Sequence, residues 1–123
     1  MKETVLLINI TDKQRLRKMK MALLPLKVRM RQVSQEEYLQ PVGYLAGNKD
    51  VLSGQNNDSG EALEKEMVVF AAIGDNLLDR ILAAMRKAGV QVDYKAVLTE
   101  HNQTWDCIQL YQELQREHQS FQK

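Results

Sequence analysis

Thr4-Val5-Leu6-Leu7-Ile8 and Met67-Val68-Val69-Phe70-Ala71-Ala72-Ile73 are the two stretches on which the fold turns. Each is apolar at nearly every position, so each reads as a strand buried on both faces. Such strands sit in the middle of a sheet that helices cover on both sides. Both runs are far shorter than the roughly 20 residues needed to span a bilayer, so no membrane partner is expected.

Working outward from the first run, Thr11-Asp12 offers an N-cap whose side-chain oxygen can accept the free amides of a first helical turn. Leu16, Met19, Leu23 and Leu24 then follow at helical spacing, with Pro25 as a stop. Leu26 to Arg31 alternates strictly and reads as a half-buried strand, with Leu26, Val28 and Met30 inward and Lys27, Arg29 and Arg31 outward. Ser34 and Glu37 fit a capping box, and Pro41 to Gly47 reads as a turn with a small apolar patch.

From the second run, Gly74-Asp75 starts a helix carried by Leu78, Ile81, Leu82 and Met85, and Gly89 suits its C-terminal left-handed position. Val92 to Leu98 is a further strand. Asn102 or Thr104 caps a last helix with Trp105, Ile108, Tyr111 and Leu114 along one side and Asp106 in its first turn.

The two halves match in order and offset: Val5 to Ile8 with Asp12 correspond to Val68 to Ala71 with Asp75, and Ser34 corresponds to Thr99. The sequence therefore predicts one domain, 1–123, made of β-α-β-α pseudo-repeats at 3–47 and 67–119. Residues 48–66, which include Ser53 to Gly60, read as a mobile polar loop between them. The predicted fold is α/β: a four-stranded doubly wound parallel sheet in order 2-1-3-4, flavodoxin- or receiver-like, with helices on both faces. The alternative is a ferredoxin-like α+β sheet in order 4-1-3-2, whose bare face would predict a homodimer.

With 123 residues, 44% apolar and 27% charged, the chain has the make-up of a globular domain. The N-terminus lacks a signal-peptide pattern, and a lone cysteine, Cys107, allows no internal disulfide; both point to the cytoplasm. The net charge of +1 is unevenly spread. Residues 1–31 hold nine Lys/Arg against two acidic residues, and the remainder holds eight against fourteen. That asymmetry suits an anionic partner, or two halves or subunits that attract one another.

In a parallel sheet the strand-to-helix loops share one edge, and ligands bind where the winding reverses. Asp12, Ser34, Asp75, Thr99, His101 and Asn102 would converge there with Thr11 and Gly74, a set able to hold a cation or a phosphate. The simpler reading is that these residues only cap helices. Lys27, Arg29 and Arg31 form a candidate anion or nucleic-acid patch. That strand has no stacking aromatic, however, and a basic edge also discourages aggregation, so nucleic acid is disfavoured. No spacing of His and Cys fits a metal, and no phosphate-loop, dinucleotide or esterase motif is present, so no cofactor is implied. Cys107 reads as a small buried apolar residue, with a reactive thiol as the minor alternative.

Tyr94-Lys95-Ala96-Val97-Leu98-Thr99-Glu100-His101-Asn102-Gln103-Thr104-Trp105 resembles the signature of a small bacterial domain family of unknown function. Its members carry Lys-Ala-Val-Leu-Thr-x-x-Asn-x-x-Trp and then an acidic helix, which is matched here by Glu113 to Glu117-His118. The resemblance covers about residues 67–118, and Pro41 to Leu45 is a weaker N-terminal echo. Members often have proline after the threonine, where this chain has Glu100. The resemblance implies a label and no mechanism. As a site, it would present Lys95, Thr99, His101 and Asn102.

The leading expectation is a non-catalytic module that binds a small ligand, regulates, or meets a protein partner. The missing catalytic signatures lean away from an enzyme. The alternatives are an enzyme using Asp12, Asp75, His101 and Cys107, which needs those groups within hydrogen-bond reach, and a nucleic-acid binder using the basic N-terminal third.

Overall fold

The computed structural model describes residues 1–54 and 60–121. The elements run β1 (Thr4–Ile8), α1 (Lys13–Leu23), β2 (Arg29–Val33), α2 (Val42–Leu45), β3 (Met67–Ala71), α3 (Asp75–Lys87), β4 (Tyr94–Val97) and α4 (Cys107–Phe121). Short 3-10 turns occupy Leu24–Leu26 and Gln35–Glu37. All five residues of β1 and all five of β3 are buried, as their unbroken apolar runs require.

The sheet order is β2-β1-β3-β4. Parallel pairing joins β1 to β2 and β3 to β4, but β1 and β3 are antiparallel, with Thr4 opposite Ala71, Leu6 opposite Val69 and Ile8 opposite Met67. The α/β sheet is therefore mixed and open. This corrects the expectation of a wholly parallel, doubly wound sheet, and the observed order also rules out the ferredoxin-like alternative. The physical reason lies in the connection from β2 to β3. A parallel β3 calls for a crossover that packs back along the sheet face, usually an α-helix. Among the described residues of that connection the one α-helix, α2, has four residues and rises about 6 Å, too short to serve as that crossover. The capping-box sequence at Ser34 yields a 3-10 turn and not a long helix. The chain thus leaves β2 and enters β3 at the same end of the sheet.

Reversing β3 also sets where the helices lie. One strand-helix-strand unit steps outward to β2 and the other outward to β4, so crossovers of one hand put α1 and α3 on the same face. Alternation along the strands then divides the core. Val5, Leu7, Val68 and Phe70 pack with Met19 and Leu23 of α1 and Ile81 and Met85 of α3. Leu6, Ile8, Met67 and Val69 pack with Val42 and Leu45 of α2 and Cys107, Leu110 and Tyr111 of α4. Leu24, expected inward, is 70% exposed because α1 gives way there to the 3-10 turn Leu24–Leu26, which contains Pro25.

Helix α3 ends as its sequence suggests. Gly89 takes φ +74°, its N–H donates to the Arg86 carbonyl at 3.0 Å, and the Val90 N–H donates to Met85 at 2.9 Å. These two bonds form the Schellman closure. The remaining chain on the α2/α4 face is tied across the middle. Val42 N–H donates to the Trp105 carbonyl at 2.7 Å, Gly43 N–H to Gln103 at 2.8 Å and Cys107 N–H to Tyr38 at 2.9 Å, and Pro41 and Asp106 form an antiparallel bridge. Arg15 of α1 reaches the other way, pairing with Glu66 and donating to the Gln91 carbonyl.

The expected mobile stretch falls partly at 55–59, outside the described residues. Its described flanks are anchored: Gly54 N–H donates to Gln40, Gln35 donates to the Gly60 carbonyl, and Asn9 holds the carbonyls of Leu63 and Lys65. Among the described residues no helix is long and apolar enough to cross a membrane.

Candidate binding site

The antiparallel pairing of β1 with β3 splits the expected site in two. Asp12 and Ser34 follow the C-terminal ends of β1 and β2, at one end of the sheet. Asp75 and Thr99 follow β3 and β4, at the other. The convergence expected from a parallel sheet is therefore not realised.

The groups at the first end serve their own turns. Asp12 Oδ1 accepts the N–H groups of Gln14 at 2.8 Å and Arg15 at 3.2 Å, which is the N-cap role. The N–H and hydroxyl of Ser34 both donate to Glu37 Oε1, at 3.2 and 3.3 Å. A hollow of about 530 Å³ beside them is lined by Thr11, Ser34 and Gln35, with Lys13 at its rim. At the opposite end Asp75 is exposed in the first turn of α3, where the helix dipole favours it. The N-cap there is Gly74, with no side-chain bond.

Beyond β4, Thr99 and Asn102 lock a turn between them. Asn102 Oδ1 accepts Thr99 N–H at 2.8 Å, Thr99 Oγ1 accepts Asn102 N–H at 3.1 Å, and Asn102 Nδ2 donates to the Val97 carbonyl at 3.1 Å. Asn102 is thus engaged in its own turn and does not cap α4. That role falls to Asp106, whose Oδ1 accepts Gln109 N–H at 2.8 Å while Gln109 Oε1 accepts Asp106 N–H at 3.0 Å. The turn delivers His101 and Trp105 edge to face, with ring centroids 5.1 Å apart.

That turn makes one wall of a groove of about 390 Å³ between β4 and α4. Lys95, His101 and Asn102, three of the expected site residues, line it. Trp105, Glu113 and Glu117 complete its polar and aromatic lining over a floor of Leu110 and Leu114. Lys95 brings a positive charge to this lining, and Glu113 and Glu117 bring negative ones. Glu113 is partly occupied by Arg116 at 3.0 Å, a pair exposed enough to contribute little. A second groove, of about 440 Å³, lies across β4 on the α3 side, between Leu82, Met85, Arg86, Val90, Val92 and again Lys95.

The outer border of β4 runs between these grooves, because β4 is the last strand of the sheet. Tyr94 N–H donates to Glu66 and Leu98 N–H to Phe70, so Tyr94, Ala96 and Leu98 turn their backbone groups toward β3. Lys95 and Val97 turn theirs away from it, and the Val97 side chain is 45% exposed.

The basic patch is dispersed. Lys27 lies outside β2 in the left-handed region at φ 59°, because the 3-10 turn ends there. Arg31 is held by Glu37 and by the Leu45 carbonyl, and Arg29 stays exposed. Cys107 is wholly buried. That burial, helped by Asp106 and Glu37, pushes its thiol up to about 12, so no thiolate is on hand for nucleophilic chemistry near neutral pH. Burial likewise raises the Tyr38 phenol. Among the described residues no group of three His, Cys, Asp or Glu side chains is placed to hold a metal ion.

Trp105, Glu113 and Glu117 also line the groove, although cap and motif spacing does not single them out; the sequence feature nearest to them is the tryptophan followed by the acidic stretch Glu113 to Glu117. Residues 66–121 match a protein family described as a domain of unknown function (DUF3783). The matched segment runs from the residue before β3 through α4 and contains the whole β4–α4 groove. Neither the curated proteins nor the solved structures give a match. The matched family carries no described activity, so these comparisons assign none to this chain.

Proposed function

We propose that the protein is a non-catalytic binding module whose site is the groove between β4 and α4. The observation that carries this reading is the assembly of Lys95, His101, Trp105, Glu113 and Glu117 over an apolar floor. An apolar surface with a few oriented polar groups is what recognition uses. Catalysis asks for more: His101 is set edge to face against Trp105, Cys107 is buried, and Asp12 lies at the other end of the sheet from Asp75. The test is an NMR titration of the ¹⁵N-labelled protein, run separately with inorganic phosphate, mononucleotides, a single-stranded oligonucleotide and a pool of short peptides. Shifts clustered at Lys95, His101, Trp105 and Glu117 support the reading. Shifts confined to Thr11 and Ser34, or to Lys27 and Arg29, contradict it, and so does turnover of simple esters or phosphoesters.

We also read the chain as one cytoplasmic bacterial domain built from related halves, 3–47 and 67–119. Supporting this, Asn9 and Ala72 both adopt φ near +60° just after a central strand and are 63 positions apart, the spacing of Asp12 and Asp75. The bacterial source rests on the signature resemblance. The compartment rests on the lone buried Cys107.

A further inference from the structure

We propose that the border of β4 accepts a partner protein's segment in extended conformation, as a fifth strand, with basic and aliphatic side chains in alternation. This rests on the reading of the β4–α4 groove as the binding site and names its occupant. Two features of the strand lead to it. Lys95 and Val97 direct their N–H and C=O groups away from β3, which is the arrangement that strand addition uses. The Asn102 side chain takes the Val97 carbonyl, which closes the border at its C-terminal end and fixes where an added strand stops.

The two flanking grooves then set the side chains. An added strand sends successive residues to opposite faces of the sheet. One set drops toward α4, where Trp105 and Leu114 can cover an aliphatic stem and Glu113 and Glu117 can meet a cationic head. The other set drops toward α3, onto Leu82, Met85, Val90 and Val92. In the first groove Glu113 and Glu117 outnumber Lys95, which favours arginine or lysine there; the apolar lining of the second, rimmed by Lys95 and Arg86, favours an aliphatic residue.

A second copy of this chain fits less well. Pairing β4 antiparallel with its own copy would place both α4 helices on one face, bringing Glu113 and Glu117 against their equivalents. The chain's own alternating strand, β2, could meet β4 only head to tail, a contact that builds rings or open chains and not a simple symmetric pair. Moreover, Arg31 is already held by Glu37 and the Leu45 carbonyl.

The test uses the full chain and its single tryptophan, Trp105, as reporter. The blocked peptide Thr-Val-Arg-Val-Arg-Val-Thr should shift Trp105 emission saturably below about 1 mM. The same residues reordered without alternation, and the peptide with Glu for Arg, should bind at least about tenfold more weakly. Glu117→Lys, a substitution at an exposed position, should weaken the arginine peptide and favour the glutamate one. Val97→Pro should abolish binding, since its N–H points away from β3. Equal binding of all three peptides, or no saturable shift, overturns the proposal. A Trp105 shift that follows protein concentration alone, with a rise in mass, also overturns it and assigns the border to a second copy. If the peptide fails while another ligand perturbs the groove by NMR, only this inference falls; if nothing perturbs the groove, the binding-site reading falls with it.

Discussion

Leu6 of β1 and Val69 of β3 face each other at the centre of the antiparallel pair, and both are completely buried. From that pairing the rest of the layout follows. The C-terminal end of β1 lies beside the start of β3, so the loops carrying Asp12 and Ser34 sit at one end of the sheet and those carrying Asp75 and Thr99 at the other. The chemistry-bearing side chains on the family-matched half gather instead at the outer border of β4.

Truncation at this centre should be costly. Leu6→Ala removes a side chain packed with Ile8, Val69 and the α2/α4 layer, and loss of a buried leucine typically costs about 2–5 kcal/mol. Urea denaturation should show a lower midpoint with an unchanged slope. A loss below about 1 kcal/mol would mean that the centre is not packed as described.

Two glycines should respond in opposite directions. A Cβ at Gly60 would lie 2.6 Å from Tyr38 Cβ, so Gly60→Ala should destabilise by about 1–3 kcal/mol. Gly74 has open space, extended geometry at φ −73° and ψ 167°, and no side-chain bond at the start of α3. Gly74→Ser there supplies the missing cap and should raise stability by a few tenths of a kcal/mol. Thermal melts of the two variants should move apart, and a shift in the same direction for both would contradict the local geometry.

Arg15 joins α1 to Glu66 ahead of β3 and to the Gln91 carbonyl after α3. Its charge is reinforced by hydrogen bonding to Glu66, which raises its pKa, while partial burial opposes the rise. Arg15→Lys keeps the charge and loses the fork geometry. Because the pair is a third exposed on the arginine side, the cost should be modest, about 1 kcal/mol. A double-mutant cycle with Glu66→Gln gives the coupling, and additive losses would deny the link.

Cys107 should set part of the alkaline limb of stability. Its folded pKa is raised from 9.0 to about 12, chiefly by burial, so the folded chain keeps a proton that the unfolded chain gives up. The contribution is fully present below pH 9.0 and declines as pH rises toward about 12. Cys107→Ala should flatten that decline relative to the parent. A thiol reagent at pH 8 should label the parent only after denaturant is added, and rapid labelling of the folded protein would contradict the burial.

Much of the fold could be read from the chain because burial on both faces leaves an unbroken apolar run, and two such runs fixed β1 and β3 as central. Asp12, the Ser34 and Glu37 pair and Gly89 also act locally as their types suggest. Strand direction was not legible. It depends on whether the connection from β2 forms a crossover helix against the sheet, and α2 stops after four residues. The start of α4 was read too early because Thr99 and Asn102 satisfy each other, which leaves the capping of α4 to Asp106 and Gln109. Lys95, His101 and Asn102, named from the sequence, line the β4–α4 groove, whereas Glu113 and Glu117 come to it only through the packing of α4 beside β4.

The most direct test of this account is a pulsed electron–electron resonance distance between spin labels at Asp12→Cys and Asp75→Cys in a Cys107→Ala background. The mixed sheet places the two sites beyond opposite ends of five-residue strands, so the separation should exceed about 17 Å by a clear margin. A short distance, with the labels side by side, would mean that β1 and β3 run parallel, and would return Asp12 and Asp75 to a single site.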